Sequence, residues 1–66
     1  MIMDKERVQV KLIGESGNAF YILGKVRRAM ISAGYSQDEI DEYMSRAMSG
    51  GYDNLLAVTM EYVDVI

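Results

Sequence analysis

Four carboxylates stand within five residues at Asp38, Glu39, Asp41 and Glu42. Acid–base catalysis would require two of them to sit in a cleft with separated pKa values. Their placement points instead to a helix start, where the positive end of the helix dipole favours negative charge. Ser36 and Glu39 have the spacing of a capping box, and Tyr35 and Ile40 flank it as a hydrophobic staple. Hydroxyls at Ser16, Ser32, Ser36, Ser45 and Ser49 lack the usual activating base, because the chain contains no His. Without Cys or His, soft-metal sites of the zinc-finger kind are closed, and only oxygen donors for hard cations remain. The residues therefore predict a protein that is not an enzyme and carries no cofactor or metal.

A second candidate is the loop Gly14-Glu15-Ser16-Gly17-Asn18, which leads from a strand pattern into a helix pattern. Backbone amides at such a junction can hold a phosphate. Gly14, Ser16, Gly17 and Asn18, with Arg28 supplied by an oligomer, define an alternative reading in which a small anion such as a nucleotide is bound. The loop lacks the Gly-Lys-Ser/Thr end of a P-loop and the third glycine of a dinucleotide fingerprint, and Glu15 would repel an anion.

The only basic cluster is Lys25, Arg27 and Arg28. A DNA-reading helix starting at Ser36 would point carboxylates at phosphates, so Lys25, Arg27 and Arg28 on the first helix are the remaining nucleic-acid candidates. A net charge of −3 disfavours that second alternative, and equally disfavours an anionic membrane surface. The N-terminal residues lack a signal-peptide pattern, and no apolar run is long enough for a bilayer. The expectation is a cytoplasmic protein.

The elements that must position these groups follow from periodicity. Val8, Val10 and Leu12 alternate with Arg7, Gln9 and Lys11, which predicts a half-buried strand over 7–13. Ala19, Ile22, Leu23, Val26, Ala29, Met30 and Ala33 form one helical stripe over 19–33, capped by Ser16 or Asn18 and closed by Gly34. A second helix from Ser36 buries Ile40, Tyr43, Met44, Ala47 and Met48, and Ser49-Gly50-Gly51 ends it. The short link at Gly34 to Ser36 makes the two helices a hairpin.

Beyond Gly51 the pattern fits two states. The chosen reading is a short helix over 54–61, capped by Asp53 and carrying Met60 on its core face, then a strand over 62–65 that pairs with the first. The alternative is one strand over 55–66. The fold expected is α+β, in the order β-α-α-(α)-β, as a single small domain over 1–66 with 1–6 loose. The direction of strand pairing stays open.

Phe20, Gly24, Arg27 and Ile31 lie off the first helix's apolar stripe, in a second line spaced four, three and four residues apart. Glycine inside a helix costs about 1 kcal/mol against Ala, so something packs closely there. Both an intrachain contact and an interface fit this line. A 66-residue chain without disulfides or soft-metal ligands has a small core, and self-association is the remaining stabilising device. A homo-oligomer, with a dimer favoured, is the resulting expectation.

The run Lys11-Leu12-Ile13-Gly14, Gly17-Asn18-Ala19-Phe20, Ala33-Gly34 and Ser49-Gly50-Gly51-Tyr52-Asp53-Asn54-Leu55-Leu56 resembles small proteins of bacterial and phage genomes that have no assigned activity. The resemblance rests on turn and packing residues from Val10 onward. It implies a phage or mobile-element origin and brings no catalytic residue. The function expected is a regulatory protein-interaction module that uses Phe20, Gly24, Arg27 and Ile31, or the acidic Asp38, Asp41 and Glu42, to meet itself or a protein partner.

Overall fold

The computed structural model describes residues 7–12, 14 and 17–66. Ile13 at the expected strand end, Ser16 as the alternative cap and ligand residue, and the expected looseness of 1–6 lie outside the described residues. The order is β1 (Gln9–Val10), α1 (Ala19–Ser32), α2 (Gln37–Ala47), α3 (Tyr52–Tyr62) and β2 (Asp64–Val65). The fold is a mostly helical α+β arrangement in which the last strand returns to the first.

The two strands pair in parallel, with Gln9 opposite Asp64 and Val10 opposite Val65. Asp64 N–H donates to the Val8 carbonyl, Ile66 N–H to the Val10 carbonyl and Leu12 N–H to the Ile66 carbonyl, each at 2.9 Å. Val10 is buried, Val8 and Leu12 are half-buried, and Arg7, Gln9 and Lys11 are exposed, as the alternation requires. A parallel ribbon needs a crossover connection, and the three helices supply it.

Helix α1 starts at Asn18, whose side-chain oxygen accepts from Phe20 N–H at 2.8 Å and Tyr21 N–H at 3.2 Å. It ends in a Schellman motif: Tyr35 N–H donates to the Met30 carbonyl and Gly34 N–H to that of Ile31. Gly34 has φ +89°, a left-handed conformation that costs a residue with a Cβ roughly 1–2 kcal/mol. Ile22, Leu23, Val26 and Met30 are buried, while Ala33 is the exposed C-cap.

The capping box forms at α2: Glu39 N–H donates to Ser36 Oγ at 3.1 Å, and Ser36 N–H donates to Glu39 Oε1 at 2.9 Å. At its other end, Asn54 Nδ2 donates to the Arg46 carbonyl at 2.9 Å. Gly50 permits this approach, since a Cβ there would stand 2.9 Å from Asn54 Cβ. Arg46 also joins α2 to α3, reaching Glu61 at 2.8 Å and the Tyr62 hydroxyl at 3.2 Å. These partners, the Tyr62 hydrogen bond foremost, hold its guanidinium above the ordinary value.

The third element is a helix, and the single long strand over 55–66 is overturned. It begins earlier than the sequence pattern indicates: Gly51 is the N-cap, with no side-chain cap, and Asp53 lies in the first turn. Leu55, Val58 and Thr59 are its buried face. Tyr62 belongs to α3 rather than to the strand, so β2 is shorter than 62–65.

Two methionines depart from expectation. Met60 is 57% exposed because it falls past Thr59, on the far side of α3's buried face, and Met48 is 56% exposed because it is the C-cap beyond Ala47. The core is Val10, Ile22, Leu23, Val26, Met30, Tyr35, Ile40, Tyr43, Ala47, Leu55, Val58 and Val63.

Candidate interaction surface

Phe20 is 79% exposed and Ile31 is 50% exposed, on the side of α1 turned away from Ile22, Val26 and Met30. Gly24 and Arg27 lie exposed between them. Beyond its chain neighbours and the backbone of its own helix turns, no atom stands within 4 Å of a Cβ built on Gly24, so its missing side chain leaves open space. The described residues thus leave the whole line uncovered, and the close intrachain packing that a helical glycine invites is not what occupies it.

Arg28 continues this face, and Lys25 Nζ lies 5.8 Å from the Tyr21 ring centroid. Phe20, Gly24, Arg28 and Ser32 border a shallow groove along α1. Among the described residues, neither Arg27 nor Arg28 takes part in a salt bridge. With Lys25, they give α1 three cations and no acid.

Phe20 also borders a concavity of about 340 Å³ where the start of α1, the end of α2 and the start of α3 meet. Leu23, Ala47 and Leu55 line it, and Met48 and Tyr52 stand at its edge. Met48 and Tyr52 extend the apolar surface begun by Phe20, whereas the sequence pattern put Met48 on the buried face of the second helix and assigned neither residue to an interface. Their signal was faint: both flank the Ser49-Gly50-Gly51 break, where a residue leaves its helix face.

The acidic candidates form a different surface. Asp38, Asp41 and Glu42 are exposed on α2, away from the buried Ile40, Tyr43 and Ala47. Asp41 accepts a hydrogen bond from Gln37 Nε2 at 2.8 Å. No three carboxylates among the described residues converge into a metal site.

Within one chain the loop candidates stand apart from Arg28, the cation expected from an oligomer. Gly14, Gly17 and Asn18 are exposed, but Asn18 Oδ1 already takes the Phe20 and Tyr21 amides that an anion would need. Arg28 lies ten residues along the helix from Asn18, about 15 Å at 1.5 Å per residue. Among the described residues no helix is long and apolar enough to cross a membrane. The chain matches no protein-family model, no curated protein and no solved structure.

Proposed function

We propose that this chain is a non-enzymatic, regulatory protein-interaction module that acts as a homo-oligomer through the outer face of α1. The observation that carries the reading is the exposure of Phe20 and Ile31 on either side of an open Gly24. A helix that lays a large aromatic and a β-branched residue on its solvent side, with a glycine between them, has a form suited to another surface. Single exposed apolar residues are ordinary on any protein, but a continuous patch marks an interaction site. Here Phe20 joins Met48 and Tyr52 around one concavity, which makes the patch continuous.

The anion-binding alternative is weakened by Asn18, which occupies the first amides of α1. Sedimentation equilibrium over a concentration series tests the proposal. The expected result is a concentration-dependent rise from the 7.4 kDa chain mass toward twice that value. The double variant Phe20→Ser/Ile31→Ser is expected to stay at the chain mass while keeping its helical circular dichroism. A wild-type chain that remains monomeric throughout overturns the reading.

A further inference from the structure

Resting on that reading, we infer that the partner on α1 is a second copy of this chain, packed antiparallel about a two-fold axis, with Phe20 opposite the second copy's Ile31 and Gly24 opposite its Arg27. The line Phe20, Gly24, Arg27, Ile31 is spaced four, three and four residues apart, so it reads the same from either end. A two-fold axis through its midpoint, between Gly24 and Arg27, lays the line on itself. That self-complementarity is what a two-fold dimer interface requires.

The alternating four-and-three spacing is also that of a coiled-coil seam, in which successive residues point at the neighbouring helix. All four positions lie within α1 and are exposed, so the seam exists as folded structure and not only as a sequence pattern.

The side chains choose the direction. A parallel pair would set Gly24 against Gly24, leaving a gap, and Arg27 against Arg27, placing two guanidinium groups in one layer. The antiparallel pair sets the methylene stem of Arg27 over the open space at Gly24, where nothing beyond its chain neighbours and the adjoining backbone of α1 stands within 4 Å. Long basic side chains cover apolar or vacant surface with their stems while the charged head reaches water. The bulky Phe20 and Ile31 then close both ends of the seam.

The helix is about 21 Å long at 1.5 Å per residue, so α1 against α1 is short of the roughly 1,200 Å² that specific interfaces bury. The arriving Ile31 of the second copy comes to the edge of the concavity beside Phe20, where Met48 and Tyr52 are exposed. Those two residues enlarge the contact at each end of the pair. The resulting dimer depends on concentration.

Charge separates this arrangement from the competing one. Setting the basic α1 of one copy on the acidic Asp38, Asp41 and Glu42 face of another would gain attraction that salt weakens. The antiparallel α1 pair brings the Arg27 side chains of both copies into adjacent layers, so screening strengthens it.

The natural chain has no Cys, so thiols can be placed one at a time. The test mixes Phe20→Cys chains with Ile31→Cys chains in a glutathione redox buffer, after circular dichroism confirms that both fold. The expected result is a heterodisulfide in several-fold excess over its statistical share. Equivalent positions 20 and 20 stand about 16 Å apart along the helix axis, beyond the Cα separation a disulfide bridges. A predominance of Phe20→Cys homodisulfide, or a statistical mixture, overturns the antiparallel register.

A thiol-free measurement covers the case in which these substitutions weaken the pair. Wild-type and Arg27→Glu chains, mixed and read by native mass spectrometry, are expected to form mixed dimers in excess of both homodimers, and a statistical distribution overturns the register. Salt-weakened association of the wild type overturns it in favour of the α1-to-α2 arrangement. A wild-type monomer at every concentration instead overturns the interaction proposal on which the register rests.

Discussion

The Tyr43 hydroxyl and Thr59 Oγ1 lie 2.8 Å apart in the centre of the core, and neither residue exposes any surface. This hydrogen bond joins α2 to α3 at the point where the two helices bury most deeply. The Tyr43 ring meets the Tyr62 ring edge-on at a centroid distance of 5.4 Å. No buried side-chain nitrogen or oxygen among the described residues lacks a partner. The pair thus lets a small apolar core hold two hydroxyls without leaving either unsatisfied.

Removing one hydroxyl breaks that balance. Tyr43→Phe leaves the Thr59 hydroxyl without its partner in a water-free site, at a cost of about 1–3 kcal/mol. Thr59→Val does the same to the Tyr43 hydroxyl. The double variant Tyr43→Phe/Thr59→Val removes both polar groups, so its destabilisation is expected to fall below the sum of the single effects. Urea unfolding of the four proteins measures the coupling, and strict additivity would remove the hydrogen bond from the account of the core.

Alkaline pH probes the same residue. Burial pushes the Tyr43 phenol above its ordinary value of 10.0, with the Thr59 hydrogen bond offsetting part of the rise. The folded state therefore holds this proton more tightly than the unfolded chain. Its contribution to stability is complete below the unfolded pKa, and is lost as pH rises above 10 through the folded value. The difference in unfolding free energy between wild type and Tyr43→Phe should be constant from neutral pH to about 9 and shrink above 10. A constant difference through pH 11 would contradict the shift.

Two glycines predict changes of opposite sign. Gly34→Ala places a Cβ at φ +89° and is expected to cost roughly 1–2 kcal/mol. Gly24→Ala adds a methyl to a helical residue with open space around it, so the isolated chain is expected to gain up to about 1 kcal/mol. The same methyl narrows the slot for Arg27 of a second copy, so Gly24→Ala should weaken association while raising the stability of the monomer. Thermal unfolding at low concentration and sedimentation at high concentration separate the two effects.

The parts of the fold set by neighbouring residues were legible in the sequence. Asn18, the Ser36–Glu39 box and Gly34 each fix a helix end with groups a few residues apart. The start of α3 was not legible, because Gly51 caps it without a side chain and Asp53 offered a more conventional signal. Nor could periodicity choose between helix and strand over 55–61, since the choice depends on burying Leu55, Val58 and Thr59 against the rest of the chain. Parallel pairing depends on how the three helices return the chain to β1. The Phe20 to Ile31 line stood out as surplus to the core stripe, whereas Met48 and Tyr52 join it only where three helix ends converge.

That return of the chain rests on Tyr35, whose side chain reaches from the turn after α1 to the start of the two paired strands. Its hydroxyl donates to the Tyr62 carbonyl at 2.7 Å and accepts from Val8 N–H at 3.4 Å. Tyr62 ends α3, so its carbonyl has no intrahelical donor. Tyr35→Phe keeps the buried ring but leaves both backbone groups without this partner, at an expected cost of about 1–3 kcal/mol. The loss should be local: hydrogen exchange at the Asp64 and Ile66 amides, which bond the Val8 and Val10 carbonyls, should accelerate more than exchange at Val26 in α1. Ser36→Ala provides the contrast, because losing that cap costs about 1 kcal/mol at the start of α2 and leaves the β1–β2 contacts intact. Equal acceleration at Asp64, Ile66 and Val26 in Tyr35→Phe would show that the hydroxyl stabilises the fold as a whole rather than the closure of β2 on β1.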